Sequence, residues 1–526
     1  MRFLLLPLIF AAASCATVPP SPEKRAESWW SDVAALADDA MEGRQAGTEG
    51  HRRAAAYVID ELREIGLEPA GTEGFLQPVS FEEQYVDHAA STAVLAANGR
   101  ETPVRLPDDM IVGRGEGRRP AAVDAPLVFV GYGLHVPEAG HDDFAGVDLK
   151  GKIAVAVSGG PADISGALKA HARRNRSAYL AERGAAGLIT LNTPKATESP
   201  WSRSMVSAGQ PGLYFADPAL RDVQAEFFTA AFNGETAEKL FAASGRSFVE
   251  IAALADASKP LSAFDMKQSL RARLATRHGS LESPNVVARL PGSDPALADE
   301  HVAFTAHLDG LGIRDAADGD RINNGALDNA AGVASLLDIA RSYKARGIRP
   351  KRSMLFVFVT AEEKGLLGSR YFALRPTVPK LVANLNLDMA LPIFPLKSVI
   401  ALGAEESSLG AVAAAVTGEM GLPLVPDPFP DRNSFVRSDQ YSFIREGVPA
   451  LAFKFGFAAN TPEAEAERNW RSTRYHGPAD DLGQPVERRD AIRLDDVIAE
   501  IGLRVADALE RPHWLAESFF RRFARD

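Results

Sequence analysis

The sequence holds a single cysteine among 526 residues, Cys15, near its start. The mature chain can therefore form no internal disulfide, and a zinc knot built on several thiolates is excluded. There is no run of Lys and Arg, and the formal net charge is -11. A nucleic-acid partner is not expected, because it needs a concentrated basic surface. No GxSxG elbow marks a serine nucleophile, and no HExxH helix marks a single-zinc protease. Internal repeats are missing as well. The longest apolar run at the amino terminus, residues 3–13, is too short to be a stable membrane span.

What is present is globular: 46% apolar and 24% charged residues, in a chain long enough for two or three domains. Arg2, the apolar run and Ala12-Ala13-Ser14-Cys15 resemble a bacterial lipoprotein signal. That resemblance implies an exported protein, lipid-anchored through Cys15 to the cell envelope. Ala16 after the cysteine resembles lipoproteins sent on to the outer membrane. Residues 1–15 are expected to be the signal and 16–30 an extended, proline-rich tether.

Residues 31–121 are expected to be the first part of the main domain. Ala54, Val58, Leu62 and Ile65 repeat at helical spacing, and Gly66 fits a helix stop. From about Ala122 short β-like runs follow, Leu127 to Val130 and Ile153 to Val157, then a helical stretch and Gly187 to Leu191. GYGLHVPEAGHDDFAGVDLKGKIAVAVSGGP and ERGAAGLITL resemble the protease-associated domain, a small β-rich module inserted in secreted peptidases. Its expected borders are 122–255. His135 and His141 fall inside it and are read as structural or surface residues. After His278 strands alternate with helices: Val302 to Ala306, a helical stripe at Val333, Leu336, Leu337 and Ala340, then Ser353 to Val359 and Leu381 to Leu387. The expected fold class is α/β, a mostly parallel central sheet with helices on both faces plus the β-rich insert, and the main domain resumes over 256–526.

The chemistry gathers where those strands end. His307, Asp328, Glu363, Asp388 and His476 are imidazoles and carboxylates at or after strand tips, where α/β sheets present ligands. Two histidines and three carboxylates suit a pair of divalent ions sharing one carboxylate and a bridging water. Glu362, adjacent to Glu363, is placed to act as general base. Asp309, two residues after His307, is placed to accept the imidazole's other N–H and fix its tautomer.

HLDGLG, GALDNAAG, TAEEKGLLGSRYF, NLNLDM, RSDQYSFIREGVPAL and YHGPADDL, in that order, resemble the co-catalytic di-zinc exopeptidases, metallopeptidase family twenty-eight. These are aminopeptidases related to glutamate carboxypeptidase and the transferrin receptor. The resemblance implies two Zn2+ ions: His307 and Asp388 on one, Glu363 and His476 on the other, Asp328 between them and Glu362 as base. It also implies a cis Asp328–Asn329 bond. Tyr475, Ser438, Asp439 and Arg437 fall in motifs that line the family's site, with Tyr475 as an oxyanion donor. Gly310 departs from the Ser or His of many relatives, and Pro426 to Pro430 is expected to shape the substrate pocket. Asp388-Met389 and YHGPADD favour hydrolysis from the amino end of peptides. The alternatives are a carboxypeptidase or dipeptidase on the same metals, and a receptor-like protein without activity.

Overall fold

The computed structural model describes residues 20–113, 117–197, 200–314 and 319–525. The signal segment 1–15, with Cys15, lies outside the described residues. No described helix is long and apolar enough to cross a membrane.

The expected tether is shorter than 16–30, because helix α1 already occupies Pro22–Leu36. Ser21 caps it by accepting the Lys24 N–H, and Pro22 sits in the first turn, where its missing N–H costs nothing. Trp29, Val33 and Leu36 are buried along one face, and the Trp29 indole donates to Ser335 at 3.0 Å. Burial of a large apolar side chain is worth about 1.5–3 kcal/mol, enough to dock a tail that composition alone reads as a linker. A second helix, α2, runs Glu49–Ile65 between a Thr48 cap and a left-handed Gly66.

One hydrogen-bonded sheet runs through two cores. Its main strands are β1 (Leu76–Ala97), β2 (Ala122–Phe129), β3 (Ile153–Val157), β4 (Gly187–Leu191), β5 (Phe228–Phe232), β6 (Phe264–Leu290), β7 (Glu300–His307), β8 (Ser353–Val359), β9 (Lys380–Asn386), β10 (Val399–Leu402) and β11 (Ala450–Phe455). The first body has the order β10-β11-β9-β7-β8-β6. Its inner strands β8, β7, β9 and β11 are parallel, and β10 and β6 close it antiparallel. Val302, Phe304 and Ala306 pack on one face, against α1, α2 and two later helices, α3 (Ala331–Ala345) and α5 (Arg488–Asp507). A helix between these two, α4, spans Pro462–Thr473. Ala303, Leu355 and Val357 face the other way, toward Phe372 and Phe443. Strands buried on both faces read as unbroken apolar runs, which is how they were legible in the sequence.

The second body continues across β6 as β2-β3-β4-β5, with β2 to β5 parallel. Its core draws on Val86, Leu95, Met110, Leu270 and Leu274, well outside the expected 122–255. The cause is the length of β1 and β6, which pair antiparallel from Leu76↔Val286 to Ala96↔Ser269 and carry the chain from one core into the other.

Candidate metal centre

Parallel register brings the strand tips together: His307 lies opposite Val359 and Thr305 opposite Asn386. The chain then turns at each tip and leaves His307, Glu362, Glu363 and Asp388 around one hollow. Asp328 arrives on the short turn before α3, and His476 on the loop after α4. Gly332 permits this closeness, since a Cβ there would lie 2.6 Å from the Leu387 carbonyl oxygen. His307 Nε2 is 3.2 Å from Asp328 Oδ1 and 3.5 Å from Asp388 Oδ1. On the other side His476 Nε2 is 3.4 Å from both Asp328 Oδ2 and Glu363 Oε2. These are two triads that share Asp328, each with its ligand atoms within 4.8 Å of one another.

The electrostatics call for cations. Burial, reinforced by neighbouring carboxylates, pushes Glu362 well above its ordinary value and Glu363 up to about 7. Asp328 is held far below the usual carboxylate range, against its burial, by the two imidazoles. His307 Nε2 and Asp388 Oδ1 are buried without a hydrogen-bond partner among the described residues. Such orphaned atoms fit a zinc-type ion at the first triad, and the second offers the same nitrogen and oxygen donors.

Each tip is held from behind. His307 Nδ1 lies 3.0 Å from the main-chain oxygen of Asp309 and 4.0 Å from its carboxylate. The expected partner atom is thus the carbonyl. The Asp309 carboxylate reaches across instead and accepts the N–H groups of Glu362 at 3.0 Å and Glu363 at 3.3 Å. Asp309 thus touches the two glutamates through their main chain. Asp480 does the same for the shared ligand, accepting the N–H groups of Leu327 and Asp328. Arg44, fully buried, donates to the carbonyls of Leu308, Asn324 and Gly325 and so ties the His307 and Asp328 turns to the amino-terminal segment. The Asp328–Asn329 peptide is cis.

The profile of a family described as Peptidase family M28 matches residues 285–501, the stretch that contains both triads. Residues 285–501 are thus similar to an M28 peptidase domain. The probable leucine aminopeptidase 2 of Aspergillus oryzae is 30% identical over 196 residues, 35% of this chain and 36% of that protein. A vacuolar membrane protease of Clavispora lusitaniae is 33% identical over 107 residues, 20% of this chain and 9% of that one. The chain thus spans about a third or less of the length of these curated relatives. A solved aminopeptidase from Aneurinibacillus sp. strain AM-1 matches 93% of this chain and 96% of its own, with TM-score 0.54 and 19% identity. That likeness establishes the fold.

Within this matched stretch a cavity of about 70 Å³ opens onto Asp328, Glu362, Asp388 and His476. Ser438, Arg437 and Tyr475 line it. Tyr475 stacks on His476, ring centroids 3.7 Å apart, and burial with the nearby Asp328 keeps its hydroxyl protonated. Asp439, expected at the substrate, is fully buried and does not line this cavity. Gly310 faces the main chain of Gly43, where a Cβ would meet the carbonyl oxygen at 2.8 Å. A larger cavity of about 880 Å³ shares Leu402 and Ser434 with the first and is lined by Asp427 and Pro430 of the proline-rich loop. His135 and His141 lie apart from both triads, beside Asp142 at 3.3 Å and Asp143 at 2.9 Å.

Three supporting contacts were not assigned from the sequence, although Asp480 falls within YHGPADDL. Arg44 and Asp480 brace ligand turns from outside the motifs' own strands. Arg203, in the second body, donates to the carbonyls of Arg471 at 3.2 Å, Ser472 at 2.7 Å and Tyr475 at 2.8 Å. Those carbonyls end α4 and lead into His476, so a guanidinium meets the negative end of a helix.

Proposed function

We propose that the chain is a zinc-dependent aminopeptidase that removes residues from the amino end of peptides. The observation that carries this reading is the pair of triads sharing Asp328, with Glu362 buried beside them. His307 and Asp388 would hold one Zn2+, Glu363 and His476 the other, and Asp328 both. Bound there, the two ions polarise the scissile carbonyl and lower the pKa of water. Glu362 takes the proton of the attacking water on its carboxylate and delivers it to the leaving amine. Its burial raises its proton affinity toward what that transfer needs. The Tyr475 hydroxyl, still protonated, donates to the developing oxyanion. Asp309 holds Glu362 and Glu363 through their main-chain N–H groups, which fixes base and ligand relative to each other.

The test uses an aminoacyl 4-nitroanilide beside an N-acylated dipeptide. Hydrolysis of the first, abolished by chelation and restored by zinc, is the expected result; cleavage of the blocked substrate alone would overturn the direction of attack. Glu362→Gln should keep its metal and lose about 10²–10⁴-fold in turnover. Near-normal turnover in that variant would remove the base. The second body is read as a protease-associated module. Export and a lipid anchor on Cys15 belong to the same proposal, and a Cys15→Ala chain that still sediments with membranes would refute the anchor.

A further inference from the structure

The active-site cavity has a cationic wall that neither the metals nor the base requires. β11 presents alternate residues to opposite faces: Leu451, Phe453 and Phe455 enter the core, while Ala452 and Lys454 line the cavity. Lys454 is half-buried there, beside the Asp388 strand tip. Its ammonium donates to the carbonyls of Asp388 at 3.3 Å and Met389 at 3.2 Å. Among the described residues it forms no ion pair with a carboxylate. Arg471, on the same wall, is bonded through Nε to Glu467, which also takes Arg432 at 2.7 Å. Lys454 has a donor to spare on this wall, since an ammonium carries three and two are engaged with neutral acceptors. A partly buried ammonium is costly, and among the described residues the groups it is hydrogen-bonded to are neutral carbonyls rather than a carboxylate.

We propose that Lys454 recognises a carboxylate of the substrate, so that this site prefers peptides offering an anionic group next to the scissile bond. This rests on the peptidase reading above and deepens it. The carboxylate can come from an acidic side chain on the amino-terminal residue or from the free carboxyl end of a dipeptide. A charge-assisted hydrogen bond in a half-desolvated site corresponds to about tenfold or more in kcat/KM.

The experiment measures two ratios on the zinc-loaded full chain: glutamyl against glutaminyl 4-nitroanilide, and Leu-Ala against its carboxy-terminal amide. At least one ratio should reach about tenfold. The first identifies a side-chain carboxylate, the second a terminal one. Lys454→Met should bring that ratio toward one, and Lys454→Arg should retain most of it. If Lys454 only props the Asp388–Met389 turn, both members of each pair fall alike and the ratio persists, which overturns the proposal. Wild-type ratios below about twofold overturn it too. Calorimetric titration with glutamate against glutamine, and leucine against leucinamide, reads the same discrimination without turnover. Discrimination there with no peptide hydrolysis would keep the carboxylate site and reject the aminopeptidase.

Discussion

The two halves of the metal centre are built differently. His307 ends a central strand, its side chain is 1% exposed, and its partner Asp388 follows the neighbouring strand tip. His476 stands on a loop, its side chain is 33% exposed, and its backbone sits at φ +55. Core packing fixes the first half: moving His307 would disturb β7, whose Phe304 stacks on Phe356 with centroids 5.2 Å apart. In the second half Glu363 follows the β8 tip, but His476 has no strand beneath it. It relies on Tyr475 stacking, on the end of α4 and on a guanidinium from the other body. A single site can thus combine one ligand set fixed by the sheet with another assembled from distant chain.

Asp328 is the member that both halves share, so its loss should erase the difference between them. Asp328→Ala is expected to have the largest effect, with zinc retained at neither triad after dialysis and turnover at least as low as in Glu362→Gln. Retention of one tightly bound ion, measured by atomic emission, would mean that a half can stand alone. Asp309→Ala comes next. Its carboxylate holds the N–H groups of Glu362 and Glu363, and removing such a support costs about 10–100-fold in metal affinity or activity. Because Glu363 belongs to the His476 half, the weaker ion should be the one on that side. Selective weakening of the other ion in a competition titration would show that Asp309 acts mainly on His307.

The buried half was legible in the sequence because it obeys local rules. Unbroken apolar runs such as Ser353–Val359 announce strands buried on both faces, and polar residues directly after them announce a site. The same rules placed His307, Glu362, Glu363 and Asp388. They failed where a contact joins residues far apart in the chain. Arg203 and Arg471 are 268 positions apart, and nothing around Arg203 distinguishes it from a solvated surface arginine. Lys454 was hidden for the opposite reason: it interrupts the apolar run of β11 and reads as an edge or surface residue. The tether was misjudged because Pro19, Pro20 and Pro22 outweighed Trp29 and Val33, although proline is compatible with a helix's first turn. The long β1 and β6 lack strict alternation over much of their length, so the border between the bodies was set too tightly.

Arg203 decides whether the second body takes part in the site. Its three acceptors are carbonyls at the end of α4 and just before His476, groups that α4 itself cannot satisfy. Removing the guanidinium leaves the sheet-borne half untouched, since Arg203 contacts neither β7 nor β9 in these bonds. Arg203→Ala should therefore weaken one ion by about tenfold, the low end for a supporting contact, and leave the other at its wild-type affinity. A purely structural role predicts something else: a lower unfolding midpoint with both affinities unchanged in the folded fraction. Arg203→Lys can reach one carbonyl but not three, so it should fall between the two. Hydrogen exchange at Tyr475 to Gly477 gives a readout free of metal, with faster exchange in Arg203→Ala and no change at Thr305 to Leu308. If exchange and affinity both stay at wild-type values, the second body is a neighbour of the catalytic loop and no part of its support.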